Sequence, residues 1–179
     1  MFASEKFKDS LAFYSAYHRH PTNQLIHCIT IPIIVYTVLQ WLAYITIYSF
    51  ANLPLLRIHA GLPLIVVYTI IYFLCDDTSA LIITGPLIGI YILTNYLWIA
   101  VPKIWMYALI LHVVSWILQF AGHGVWEKRK PALFDSLIQA FVMAPLFVVV
   151  ELQFRLGYRY RLMTEIATLS NKYDPIIKS

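Results

Sequence analysis

The sequence predicts an all-α fold: a polytopic membrane helical bundle of four spans, with an N-terminal amphipathic helix and a re-entrant or interfacial C-terminal helix. Three observations predict it. Apolar residues make up 60% of the 179 and charged residues only 12%, against about half and about a quarter in an ordinary soluble domain. The apolar excess is gathered into blocks of about 18 residues or more, the length that crosses hydrocarbon. The basic residues stand at block ends, where they set orientation. The length suits a single integral membrane domain, 1–179. A soluble bundle with an oversized core is the alternative these blocks argue against.

Residues 4–18 read as an amphipathic helix, because Phe7, Leu11, Tyr14 and His18 share one stripe while Lys6, Lys8 and Asp9 face away. Ser4 is its cap. Such a helix lies at the interface or docks on the bundle. Pro21 disfavours αR backbone at His20 and suits the first turn of a new helix, so a turn falls at 19–22. The first apolar block runs over 25–50, with Pro32 as a kink that neighbouring helices would stabilise. Residues 52–59 are a short connection, and a second block covers 60–75. Asp76, Asp77, Thr78 and Ser79 form a polar hairpin with helix-start character. The third block is 80–101, with Gly85, Pro86 and Gly89 as close-packing or kink points. Pro102 and Lys103 turn the chain into the fourth block, 104–121, where Trp105 and Tyr107 suit an aromatic belt. A weaker block, 132–154, holds Asp135, Gln139, Pro145 and Glu151; Arg155 is the nearest partner for the buried Glu151.

Four crossings return the chain to its starting side. Lys6, Lys8 and Arg19 precede the first span, and Lys128, Arg129 and Lys130 follow the fourth; the opposite loops carry only Arg57 and Lys103. The positive-inside rule makes the two basic ends cytoplasmic. A crossing by 132–154 would carry Arg155, Arg159 and Arg161 to the far side. That block is therefore expected to be re-entrant, interfacial or a packed helix that does not cross. The basic residues form no continuous patch interleaved with aromatics, which favours lipid headgroups over nucleic acid. Cys28 and Cys75 make no disulfide framework and read as reduced packing residues. Residues 1–20 lack a central apolar run, so no cleavable signal peptide is expected. No nucleotide or flavin fingerprint points to an organic cofactor.

The chemistry gathers in two polar islands. In QFAGHGVWEKRKPAL, residues 119–133, His123 and Glu127 stand four apart and would share one helix face at the mouth of a span. The other island holds His18, His20 and His27. In one continuous helix His18 and His27 would lie roughly 13 Å apart; the turn at Pro21 can fold one over the other. Asn23, four residues before His27, could orient its ring. The charge-derived topology puts His18, His27 and His123 near one membrane face. Three or four imidazoles, with a carboxylate, suit zinc or non-haem iron. The plainer reading is that each histidine is a satisfied polar group at a helix end. His112 is a fourth ligand candidate. It lies roughly 16 Å from His123 on a continuous helix, so it joins only if Gly122 ends the helix and the chain folds back. His59 falls on the opposite side and reads as structural or interfacial; His20 stands behind a ligand or in solvent. Glu127 is open between ligand, hydrogen-bond partner of a ligand, and ion pair with Lys128 or Lys130. Lys128, Arg129 and Lys130 could attract a fatty carboxylate or lipid phosphate, or only fix topology.

FYSAYHRHPTNQLIH, with Pro32 five residues beyond it, and WILQFAGHGVWEKRKPALFDSLIQAFVMAPLFVVVE together resemble the fungal 2-hydroxy fatty acid dioxygenase family of the endoplasmic reticulum. The resemblance covers nearly the whole chain. It implies an Fe(II)-dependent dioxygenase of fatty-acid α-oxidation. A 2-hydroxy fatty acid and O2 would become the acid one carbon shorter and CO2, in the breakdown of phytosphingosine-derived acids. It implies a multi-pass protein of that membrane, among its lipids, with the site at the cytoplasmic face. No protein partner is implied. The family's motif histidines match His18, His27 and His123; His112 and His20 occupy positions where members differ. Asn23 and Glu127 are the accompanying catalytic candidates, and Lys128, Arg129 and Lys130 the candidates for the substrate head group. Two other readings stand beside this one. A non-enzymatic scaffold or small transporter would bind no metal. A di-iron lipid hydroxylase or desaturase would need HxxHH clusters and more than the six histidines present.

A cysteine introduced near residue 165 should react from the cytosolic side with a membrane-impermeant thiol reagent. Lumenal labelling would overturn the orientation.

Overall fold

The protein's structure, a computed structural model, describes residues 4–128, 131 and 139–173. Among these residues there are seven α-helices: α1 (Glu5–Tyr17), α2 (Pro21–Leu42), α3 (Gly61–Cys75), α4 (Asp77–Ala100), α5 (Ile104–Ala121), α6 (Ala144–Arg155) and α7 (Tyr160–Ser170). Three helices of the described residues are long and apolar enough to cross a membrane: Pro21–Leu42, Asp77–Ala100 and Ile104–Glu127, the last being α5 with its extension. The α3 helix is as apolar but has 15 residues, about 22 Å of rise. Large side chains such as Leu74, Leu81, Ile110 and Ile117 stand exposed along these helices, as lipid-facing positions do.

The α2 and α5 helices run antiparallel and are tied at four levels. Trp41 Nε1 donates to the Trp105 carbonyl (3.3 Å). His112 Nδ1 meets Thr37 Oγ1 (2.7 Å), and Gln119 Nε2 donates to Thr30 Oγ1 (3.1 Å). Near the start of α2, Asn23 Nδ2 donates to Glu127 Oε1 (3.2 Å). Hydrogen bonds between helices in lipid contribute roughly 0.6–2 kcal/mol each; here they also fix the register.

The first apolar block does not stay helical to residue 50. The α2 helix continues through Pro32 and ends at Leu42. Thr46–Tyr48 then pairs antiparallel with Ile58–His59 as β1 and β2. The all-α expectation needs this correction. Thr46, Ile47 and Tyr48 are β-branched or aromatic and fit a strand better than a helix. The hairpin is anchored from inside: Arg57 is buried, donates to Thr46 Oγ1 (3.0 Å) and lies over the Trp98 ring. His59 is structural, as expected, accepting from Gly61 N and stacking on Tyr91. Gly85 and Gly89 are not close-packing points. A Cβ on either would meet open space.

Along α1, Phe7, Leu11, Tyr14 and His18 are all buried, and Ser4 Oγ accepts from Phe7 N (3.2 Å). Phe7, Leu11 and Tyr14 share a core cluster with Leu146, Phe147 and Val150 of α6, and Leu162 and Ile166 of α7. The α6 and α7 helices meet at a bend of 118°. Phe141 and Val142, just before α6, lie against α3, where their carbonyls accept from the Tyr68 and Tyr72 hydroxyls. Arg155, at the end of α6, is back at the start of α2, on the Pro21 carbonyl (3.2 Å) and Gln24 Oε1 (2.7 Å); Glu151 pairs with it at 3.5 Å. Asp135 lies outside the described residues, as does the side chain of Gln139.

Asp76 caps α4 by accepting from Ser79 N (3.2 Å) and takes both guanidinium nitrogens of Arg159, Nη2 at 2.9 Å. Burial opposes the Asp76 charge, but the Arg159 and Ser79 hydrogen bonds outweigh it and hold the carboxyl below its ordinary pKa. Asp76→Ala removes the α4 cap and leaves the half-buried Arg159 without its carboxylate, and should cost about 2 kcal/mol, read as a lowered unfolding midpoint in detergent. Because the folded pKa is depressed, the wild-type advantage is present above the ordinary value of 3.8 and is lost as pH falls below it. The gap between the two proteins should narrow in acid.

Candidate metal centre

The α1 helix ends at Tyr17 and α2 begins at Pro21, so the chain reverses within a few residues. That turn is held from several sides. His20 caps α2, its Nδ1 accepting from Thr22 N (3.2 Å). Gln24 Nε2 donates to the His18 carbonyl (2.8 Å). Glu127 Oε1 accepts from His20 N (2.7 Å) as well as from Asn23. The reversal brings His18 over His27, with ring centroids 4.5 Å apart.

His123 arrives from the other end of the chain. Beyond Ala121 the helix does not break at Gly122 but widens into a π turn, Gly122–Glu127. Such turns are rare and sit disproportionately at functional sites. A Cβ on Gly122 would run into Asn23 Oδ1, so only glycine lets α5 approach α2 this closely. His123 then lies 4.8 Å from His18 and 5.0 Å from His27, centroid to centroid.

The three imidazoles are buried, at 4%, 4% and 3% exposure. Each offers one ligand atom, and these atoms all lie within 4.8 Å of one another. His18 Nδ1 faces the Tyr14 carbonyl at 2.8 Å, and His27 Nδ1 faces the Asn23 carbonyl at 2.9 Å. A carbonyl only accepts, so both rings carry their proton on Nδ1 and turn the Nε2 lone pair inward. Burial, then the neighbouring His27 and His123, holds His18 well below its ordinary pKa. His18 is therefore neutral, the form that binds metals. His18 Nε2 and His123 Nδ1 are buried with no hydrogen-bond partner among the described residues. Such orphaned atoms are costly in a protein interior, and an ion between them would satisfy them. The donor set fits a zinc-class or iron-class divalent metal.

The remaining candidates fall elsewhere. His112 does not join the trio, because the helix runs on through Gly122 instead of folding back. Thr37 gives its own proton to the Ile34 carbonyl, so it accepts from His112 Nδ1; Nε2 accepts from Trp116 (3.0 Å). Both nitrogens are spent. Glu127 is not among the converging ligand atoms; it fastens the π turn to the α1–α2 turn. Asn23 orients His27 through its backbone carbonyl, while its side chain serves Glu127. Lys128 is exposed and closes the π turn in a left-handed conformation, φ 53°. Arg129 and Lys130 lie outside the described residues.

Beside the trio lies an apolar cavity that the sequence did not announce. Ile31, Ile34, Val35, Trp116, Phe120 and Phe141 line it, with the three histidines at its head. Phe141 comes from a segment whose approach to α5 no periodicity encodes. Tyr14 was legible only as a core position four residues before His18.

Comparison with known proteins follows the same lines. The family model described as 2-hydroxy-palmitic acid dioxygenase, Mpo1-like, matches residues 4–156. The 2-hydroxy-palmitic acid dioxygenase MPO1 of Saccharomyces cerevisiae is 36% identical over 158 residues, covering 87% of this chain and 84% of that protein. No solved structure matches.

Glu127→Ala should loosen the turn and lower metal affinity roughly 10–100-fold, as loss of groups behind ligands does, measured as bound metal after dialysis against a chelator. Gly122→Ala should do the same. Glu127→Gln keeps an acceptor oxygen for His20 and Asn23 and should keep most of the metal; equal loss in both Glu127 variants would make the carboxylate a ligand.

Proposed function

The chain belongs to the Mpo1-like, 2-hydroxy-palmitic acid dioxygenase family, and on that footing we propose that it is an Fe(II)-dependent dioxygenase of 2-hydroxy fatty acids. The observation that carries this reading is a buried trio of histidines in the wall of an apolar cavity. The reaction balances as one 2-hydroxy acid and one O2 giving the acid one carbon shorter, CO2 and water. The C1–C2 bond breaks, C2 is oxidised to a carboxyl, and dioxygen takes up the electrons. It is a step of α-oxidation and serves breakdown of phytosphingosine-derived acids.

His18, His27 and His123 would hold the iron. Bound Fe(II) supplies the one-electron chemistry with dioxygen that side chains lack, and three protein ligands leave positions open for substrate and O2. The residues around it do the rest. Tyr14 and Asn23 carbonyls hold the ring tautomers. Glu127 and Asn23 position His123 against the other two, so the ligands are preorganised. The apolar cavity takes the alkyl chain and excludes water. Lys128, Arg129 and Lys130 guide the carboxylate toward the site from the membrane surface.

In the membrane we assign α2, α3, α4 and α5 to four crossings, α1 to an amphipathic helix docked on the bundle, and the segment through α6 to a re-entrant stretch. The histidine end is cytoplasmic and the membrane is that of the endoplasmic reticulum. Three helices long and apolar enough to cross, the apolar 15-residue α3 and the basic residues at one end support this reading.

Detergent-purified protein given Fe(II), O2 and 2-hydroxypalmitate should yield the acid one carbon shorter by mass spectrometry. The His18→Ala, His27→Ala double variant should lose bound iron and product together. Well-folded wild-type protein that binds no iron would support the non-enzymatic scaffold or transporter instead.

A further inference from the structure

Tyr14 stands where two cavities meet. The apolar cavity at the histidines includes it and His18. So does a second cavity, whose lining also includes Arg19, Gln24, Glu151 and Arg155. Tyr14 and His18 thus border an apolar cavity and one that carries charged groups.

The Tyr14 ring is pinned. His18 stacks on it with centroids 3.9 Å apart and planes 19° apart, and Phe147 packs against it at 4.8 Å. The residue is only 6% exposed, so its hydroxyl cannot swing out to water. Yet that hydroxyl has no hydrogen-bond partner among the described residues. A phenylalanine would make the same ring contacts without burying an unsatisfied polar atom. Among the described residues nothing uses the oxygen, which leaves it open to a ligand.

We propose that the Tyr14 hydroxyl hydrogen-bonds the 2-hydroxyl of the substrate and is the residue that distinguishes 2-hydroxy acids from plain fatty acids. The inference rests on the 2-hydroxy acid reading above. A fatty acid whose chain occupied the apolar cavity and whose carboxylate sat in the second cavity, beside Arg19 and Arg155, would have its first carbons next to Tyr14 and His18, the residues the two linings share. The Tyr14 carbonyl already fixes the His18 ring, so one residue would set a ligand's tautomer with its backbone and meet the substrate with its side chain. Sites that hydrogen-bond a substrate hydroxyl reject analogues lacking it strongly, because the buried partner is then left unpaired.

The test is equilibrium binding of 2-hydroxypalmitate and palmitate to iron-loaded wild type and Tyr14→Phe under anaerobic conditions, with bound iron measured alongside. Wild type should prefer 2-hydroxypalmitate. Tyr14→Phe should keep its iron and its palmitate affinity and lose roughly tenfold in 2-hydroxypalmitate affinity. An undiminished preference in Tyr14→Phe would overturn the proposal alone. Loss of iron, or equal loss of affinity for both acids, would make Tyr14 a prop for His18 and also overturn it. A wild type that binds iron but shows no preference would overturn the substrate reading, and this inference with it.

Discussion

The register of α2 against α5 is the constraint on which the rest depends. His27 and His123 are 96 positions apart in the chain and meet only because two antiparallel helices are pinned along their length. The pins are polar groups in an apolar setting: Trp41 on the Trp105 carbonyl, Thr37 on His112, Thr30 on Gln119, Asn23 on Glu127. Apolar packing is non-directional and would tolerate a slide by a turn. Each donor here would lose its acceptor in such a slide, at greatest cost for the buried Gln119 amide, which makes the alternative registers unfavourable. His112 finds its use in this register, as a two-sided link between Thr37 and Trp116.

The third histidine depends on a different device. His18 lies outside the paired helices and is carried in by the α1–α2 turn. Gln24, Glu127 and Arg155 hold that turn through its backbone, one from within α2, one from the end of α5 and one from the end of α6. Three elements distant in sequence thus converge on a few peptide groups. The result is a mouth at which two ring nitrogens are buried without hydrogen-bond partners among the described residues. Folding tolerates such atoms where a ligand completes them.

The two ends of the bundle are built differently. At the histidine end the polar groups are turned toward a cavity and left incomplete. At the other end they are mostly tied among themselves: Asn95 Nδ2 donates to the Leu55 and Arg57 carbonyls, His59 bridges Gly61 and Thr94, and Tyr91 bonds the Arg57 carbonyl. That contrast separates a functional histidine from a structural one more sharply than burial does, since His59 is buried as fully as His18.

The amino-acid sequence by itself determined the helical membrane character, through apolar blocks too long for a soluble core, and the Pro21 reversal, through the backbone limits of proline. Local spacing also revealed the α1 stripe, the Ser4 cap and the helix start at 76–79, because each depends on neighbours a few residues away; the three motif histidines stood out through the family resemblance of the segments that hold them. Only the tertiary structure decided the short hairpin, the exclusion of His112, the clamp made by Glu127, the need for glycine at 122 and the cavity behind Tyr14. These depend on which surfaces meet across long separations, and helical periodicity says which face is apolar but not which partner covers it. Spacing put Glu127 on the same face as His123; the widened turn and the approach of Asn23 decided that it would hold the site together.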